Sequence, residues 1–266
     1  MRPMTLEERG VGEPAVSLTH LLEGGREQLH GQTDVGLSRY VEEILASGFP
    51  ALRSLSGRAR RFQLDSYLRN AVDRDVPEQG LAVRRPDALM AWLRAYAAAT
   101  SSTAGYSQIL DAATPGQGDK PARSTADRYR RVLESLWLLD PVPVWELGGS
   151  QFTRLGRSPK HHLADPALAA RLLGLNEAKL LGTGGGPVGP EGKTVLGSMF
   201  ESLATLWIRV AAQAAEADVG HLRTRNGDHE VDLVVIREDG DVLAIEVKAA
   251  GAADDGDAKH LQWLRR

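Results

Sequence analysis

The chain has 266 residues, 42% of them hydrophobic and 25% charged, with a formal net charge of −3. These numbers suit one large or two modest globular domains with a buried core, and they exclude a chain that binds nucleic acid through bulk charge. Cysteine is absent, which excludes a disulfide framework or a thiolate metal site. The sequence shows no signal peptide and no run read as long enough to span a bilayer, so the expected compartment is the cytoplasm, with no membrane partner.

In chain order, Leu37 to Leu45 predicts a short amphipathic helix closed by Gly48-Phe49-Pro50. Arg58 to Asp75 sets Phe62, Leu64, Leu68 and Val72 near helical spacing. Arg53, Arg58, Arg60, Arg61, Arg69 and Arg74 make this the most basic part of the first half. A solvated helix face is the preferred reading of those arginines, over DNA phosphates or a partner protein.

Pro86 opens a helix to Thr100 with an apolar stripe of Leu89, Trp92, Leu93 and Tyr96. A short helix from Tyr106 to Ala113 follows, then a loop through 114–118. Ser124 is the expected N-cap of a third helix, with Asp127 completing a capping box. Its inward face is Tyr129, Val132, Leu133 and Leu136; outward stand Arg128 and Arg131, with Lys120 and Arg123 in the approach. Leu138 to Trp145 reads as the strand pair of a wing, its prolines favouring an edge. This order looks like a winged helix-turn-helix, a fold that commonly sets such a helix in the major groove. DNA contact through Arg123, Arg128 and Arg131 and a purely packing or partner role stand level as readings.

Gly148-Gly149-Ser150 marks a domain boundary, and the neighbours His161 and His162, which a strand would point to opposite faces, read as surface or supporting residues and not metal ligands. Gly189 to Thr194 ends like a phosphate-binding loop, but Pro187 stands where its first glycine belongs, and 179–186 has linker composition. ATP binding is therefore rejected. Val195 to Ala217 is the strongest helix; Glu201 lies nearly opposite its apolar stripe, on a side shared with Gly197, Ala204, Ile208 and Ala212. His221 to Arg225 predicts a strand turned at Asn226-Gly227.

Two β-branched runs, 229–236 and 242–248, then form a hairpin with charge inside it. Glu246 and Lys248 share one face. With a three-residue loop of Glu238 to Gly240, Asp232 stands opposite Glu246; with a two-residue loop at Asp239-Gly240, Glu246 turns to the far side. Facing carboxylates call for a cation, and Mg²⁺ (or Mn²⁺) on Asp232 and Glu246 would polarise a phosphoryl group while Lys248 acts on water or the transition state. On the pattern alone, an exposed strand with paired charges is the simpler reading. An acidic loop, 249–257, and a helix from Ala258 end the chain.

Asp232, thirteen residues, then Glu246-x-Lys248 resembles the PD-(D/E)XK nuclease core. More widely, Ser158-Pro159-Lys160 with Asp165, Gly197-Ser198-Met199-Phe200-Glu201, Gly227-x-His229-Glu230-Val231-Asp232 and Ile245-Glu246-Val247-Lys248 resemble the C-terminal region of prokaryotic AAA-type ATP-binding proteins. The resemblance implies an α/β (α+β) chain: a helical N-terminal half with a winged helix-turn-helix, then a nuclease-like αβββα core. It implies an ATPase exit segment and connector over 1–80, a winged-helix domain over 81–149 and a nuclease-like domain over 150–266 that relatives extend further. It also places the core's first acidic residue at Glu201, as a supporting metal ligand or water orienter, and leaves the ATPase module outside this chain. The expected function is a Mg²⁺-dependent DNA endonuclease, with a non-catalytic DNA- or protein-binding module as the rival.

Overall fold

Among the described residues, helices predominate as far as residue 214 and a small sheet follows. The computed structural model describes residues 2–13, 15–23, 25, 31–113, 122–145, 158–182, 194–224 and 227–265. Its helices are α1 (Leu18–Leu22), α2 (Leu37–Ala46), α3 (Pro50–Arg53), α4 (Gly57–Asn70), α5 (Val76–Glu78), α6 (Pro86–Ala98), α7 (Tyr106–Ala112), α8 (Arg123–Ser135), α9 (Pro166–Leu172), α10 (Glu177–Leu181), α11 (Val195–Ala214) and α12 (Lys259–Leu264). One π-helical turn, Ala71–Asp75, joins α4 to α5. It lies just before Pro77, whose ring would crowd the carbonyl four residues back in a regular helix.

The stripe predicted for α6 is buried, with Leu89, Trp92, Leu93 and Tyr96 essentially inaccessible. They belong to one apolar core that takes side chains from Val41 in α2 to Leu203 in α11. The N-terminal segment is tied to this body: Met4 donates its backbone N–H to Gly48 at 2.8 Å, and Arg2 pairs with Asp140 at 3.1 Å. α11 is the longest described helix, and Thr194 caps it by accepting from the Gly197 amide. Contrary to the sequence expectation, α11 is long and apolar enough, by length and composition, to cross a membrane; here its inner side is packed within the protein.

The sheet is antiparallel with order β1 (Asp218–Arg223), β2 (Glu230–Ile236), β3 (Val242–Ile245). Leu233, Val235 and the α11 residues Ile208 and Ala212 form a second core, while Val231, Val234 and Leu222 form a third against α12. The segment after α8 does not fold on itself as the expected wing pair. It runs antiparallel to 160–163, with Leu139 opposite Leu163 and Val142 opposite Lys160, and Val144 then runs parallel to His221. Gly220 permits that approach, because a Cβ there would come within 2.8 Å of the Trp145 Cβ.

Three further expectations are corrected. α8 starts at Arg123 behind Ala122, which makes no side-chain cap, so Ser124 lies inside the helix. Residues 179–181 are helix and not linker, because Asn176 caps α10 by accepting from the Lys179 amide. His161 and His162 are buried, since this strand-like stretch is covered on both sides; His161 Nε2 lies 2.7 Å from the Ala104 carbonyl, and its ring meets Tyr96 and Tyr106. The loop at 114–118, Lys120, the boundary at 148–150, the linker from 183, the phosphate-loop look-alike at 189–193 and Asn226 lie outside the described residues.

Candidate functional site: a carboxylate cluster around Lys160

The β2–β3 register decides the site. Ile236 pairs with Val242 and Leu233 with Ile245, so the next step sets Asp232 opposite Glu246. The hairpin closes by reciprocal bonds of Arg237 with Asp241 and Gly240, and Gly240 takes φ +92°. This is the three-residue loop, and the left-handed position falls on glycine, where it costs least.

On its other side β2 meets β1 with a shift in register: between the pairs Gly220–Val234 and Leu222–Val231, Asp232 and Leu233 stand against His221 alone. Such a bulge re-aims a side chain. Asp232 is buried and uses both oxygens, Oδ1 accepting from Lys160 Nζ at 2.9 Å and Oδ2 from the Val247 amide at 3.0 Å.

Lys160 is the centre of the arrangement and has 0% exposure. Its ammonium lies 2.8 Å from Glu201 Oε1, 2.9 Å from Asp232 Oδ1 and 3.3 Å from Glu230 Oε1. The segment 158–163 delivers it by pairing Lys160 with Val142, and α11 delivers Glu201 from one side of the sheet. Glu201 is buried, so the apolar, small-residue side on which it lies is a second packing face of α11. Next to the ammonium, the His221 imidazole is held neutral, its pKa lowered to about 3 by burial first and by the Lys160 charge second.

Glu246 and Lys248 form a more open pair, with Oε1 and Nζ 2.7 Å apart and the lysine side chain 41% exposed. Burial, and then the charge of Asp232, push the Glu246 carboxyl above its usual range, against the opposing pull of Lys248. Burial would lower Lys248, but its bond to Glu246 and the surrounding carboxylates outweigh that and raise it. The second Glu246 oxygen is buried and has no hydrogen-bond partner among the described residues.

Asp232 and Glu246 thus face one another, Glu201 joins through Lys160, and Lys248 stays at the open edge. Sequence reasoning missed Lys160 as a chemical group and Glu230 as its neighbour, although both stand in the Ser-Pro-Lys and His-Glu-Val-Asp runs it singled out. A divalent metal of the kind the nuclease resemblance implies does not fit these residues as they stand. An ammonium already lies at hydrogen-bond distance from two of the expected ligands, and Asp232 has no oxygen left over. Among the described residues, no three His, Cys, Asp or Glu side chains are set to hold a metal.

The fold and cluster define a mixed α/β protein whose helical region and small antiparallel sheet share a buried ion network. The chain belongs to the family described as a domain of unknown function (DUF8612), whose model matches residues 37–179, just over half of the chain. A second family model, a domain of unknown function (DUF4143), matches residues 196–266; it is commonly a C-terminal domain of AAA-ATPase proteins. Searches of curated proteins and of solved structures gave no match. Lys160 lies in the first matched region, and Glu201, Glu230 and Asp232 in the second.

Proposed function

We propose that this chain is a non-catalytic DNA-binding module of an ATPase-linked system, in which α6 to α8 act as a helix-turn-helix without a wing hairpin and the C-terminal unit is a nuclease-like scaffold without metal chemistry. The observation that carries the reading is Lys160: its buried ammonium neutralises the carboxylates that a phosphodiesterase would spend on a metal ion. DNA is the favoured partner because Arg123, Arg128 and Arg131 stand exposed on α8 and none makes an ion pair with a described residue. Arg130 of the same helix is turned inward, over Tyr106 and onto Glu134, so the outward charge is selective and local.

The test is fluorescence anisotropy with labelled duplex DNA across a salt series, beside a Mg²⁺-dependent cleavage assay. Binding is expected to weaken with salt, and replacing the three arginines by alanine should flatten the log–log salt slope by about 2 to 3. Asp232→Ala should leave DNA binding unchanged. Salt-insensitive binding, or binding untouched by the triple change, would sink the DNA role. The active nuclease is the second reading, favoured by the facing Asp232 and Glu246 and by the unpartnered Glu246 oxygen. Wild-type cleavage that both Asp232→Ala and Lys248→Ala abolish would establish it instead.

A further inference from the structure

The arginine run of the first half divides in the structure. Arg58, Arg69 and Arg74 stand exposed, as a solvated face requires. Arg53, Arg60 and Arg61 instead line a cleft of about 510 Å³ walled by residues of α2, α3, α4, α9 and α10, where Arg39 and Arg171 join them. Three of these five guanidinium groups are answered: Arg39 by Glu42 and Glu43, Arg53 by Glu43, and Arg171 by both oxygens of Asp65 at 2.6 Å. Arg60 is half-buried and donates from Nε and Nη2 to the Leu52 and Leu55 carbonyls at 3.2 and 2.9 Å, which fix its guanidinium without neutralising it. Arg61 makes no hydrogen bond or ion pair with a described residue. Its Nη1 lies 3.5 Å from the position a Cβ on Gly57 would take, beside the first turn of α4, which holds no acidic residue. Helix N-termini favour negative charge, so two unanswered guanidinium groups here call for an anion.

We infer that this cleft binds the phosphate group of a small organic phosphate, held by Arg60 and Arg61. The planar guanidinium fork matches phosphate oxygens, and charge-assisted bonds of this kind are the stronger class. The cleft volume falls in the range of small-molecule sites, about 300–1,000 Å³, and Leu64, Ala167 and Ala170 give it an apolar floor for the organic part. A nucleic-acid backbone fits less well, because the exposed carboxylates of Glu42 and Glu177 stand on the same cleft and would meet its further phosphates. The site uses elements other than α8 and does not depend on the DNA reading.

The experiment is isothermal titration calorimetry of the full chain with phenyl phosphate and with inorganic phosphate, beside sodium chloride at matched ionic strength. The wild type should bind one phenyl phosphate with a Kd of about 1 mM or below, several-fold tighter than inorganic phosphate. Its Tm should rise by about 3 °C at ten times that Kd. Arg61→Ala removes an exposed side chain that has no described partner, so the variant should fold, and it should weaken binding about tenfold. Arg61→Glu should abolish binding, and Arg60→Lys, which keeps the charge but loses the fork, should weaken it. No response beyond that to chloride, binding untouched by Arg61→Glu, or equal affinity for the two phosphates would each overturn the inference. Competition by duplex DNA would make the cleft part of a nucleic-acid surface and overturn the small-molecule assignment. Binding that is lost on replacing Arg123, Arg128 and Arg131 but kept in Arg61→Glu would place the phosphate on α8 and overturn it as well.

Discussion

In the helical region one carboxylate, Glu43, is held among three guanidinium groups from Arg9, Arg39 and Arg53, whereas at the sheet one ammonium, Lys160, is held among three carboxylates. The two clusters differ in how far their charges reach water. At Glu43 the charges reach water, because Arg39 is half exposed and lines a cleft of about 510 Å³ with Arg53, Arg60 and Arg61. Burial opposes ionisation of Glu43, yet the bond to Arg53 and the charges of Arg53, Arg9 and Arg39 hold its carboxyl below the usual range. At Lys160 the charges are shut away from water, with Lys160, Glu201 and Asp232 almost wholly enclosed. The first cluster therefore acts as a clamp between the N-terminal segment, α2 and α3. The second is a buried ion network that joins the two matched family regions.

Neutralising the central charge of each cluster should separate them most. Lys160→Met leaves several carboxylates buried together and should cost about 3–5 kcal/mol in urea unfolding, the range for breaking a buried ion pair. Glu43→Gln should cost less, about 2 kcal/mol, because two of its three arginines, Arg39 and Arg53, are partly exposed and rehydrate when released. Equal losses would mean that solvent access does not distinguish the clusters.

Acid sharpens the contrast through His221. Its folded pKa of about 3 lies below its ordinary value of 6.5, so on acidification the unfolded chain takes the proton first. Stability is lost as pH falls through the window between those two values, and the loss amounts to about 2–3 kcal/mol by pH 4.5. His221→Phe should be less sensitive to acid between pH 7 and 4.5 than the wild type, as read by urea midpoints. An unchanged acid limb would show that His221 is not held neutral beside Lys160.

The smallest effect is expected at the surface. Glu42 pairs with Arg39 where both side chains are about half exposed, so Glu42→Gln should change stability by no more than about 0.5 kcal/mol after solvent screening. A larger loss would show that Arg39 depends on Glu42 to stay on Glu43.

The hairpin and the α6 stripe were legible because both follow local rules. The loop of Glu238 to Gly240 was one of two that the hairpin pattern allowed, and it is the one that faces Asp232 with Glu246; 3.6-residue spacing marked Leu89, Trp92, Leu93 and Tyr96 as core. The same rules misplaced other residues. Glu201 looked exposed by periodicity because one apolar stripe cannot show that a helix is buried on two sides. The bulge at Asp232 left no mark in the alternating pattern, since it arises from the pairing of β1 and not from β2 alone.

By itself, the sequence determined a helical chain ending in a small hairpin sheet and the shared side of Glu246 and Lys248, and it left the facing of Asp232 with Glu246 to a choice between two loop lengths. Each of these depends on residues a few positions apart, through backbone geometry that the side chains specify directly. Only the tertiary structure decided what neutralises those carboxylates. Lys160 stands 41 residues before Glu201 and 72 before Asp232. Its ammonium arrives there because Val142 pairs with Lys160, and Val144 with His221, across long stretches of chain. Electrostatic energy depends on distance and burial after folding, and spacing along the sequence specifies neither.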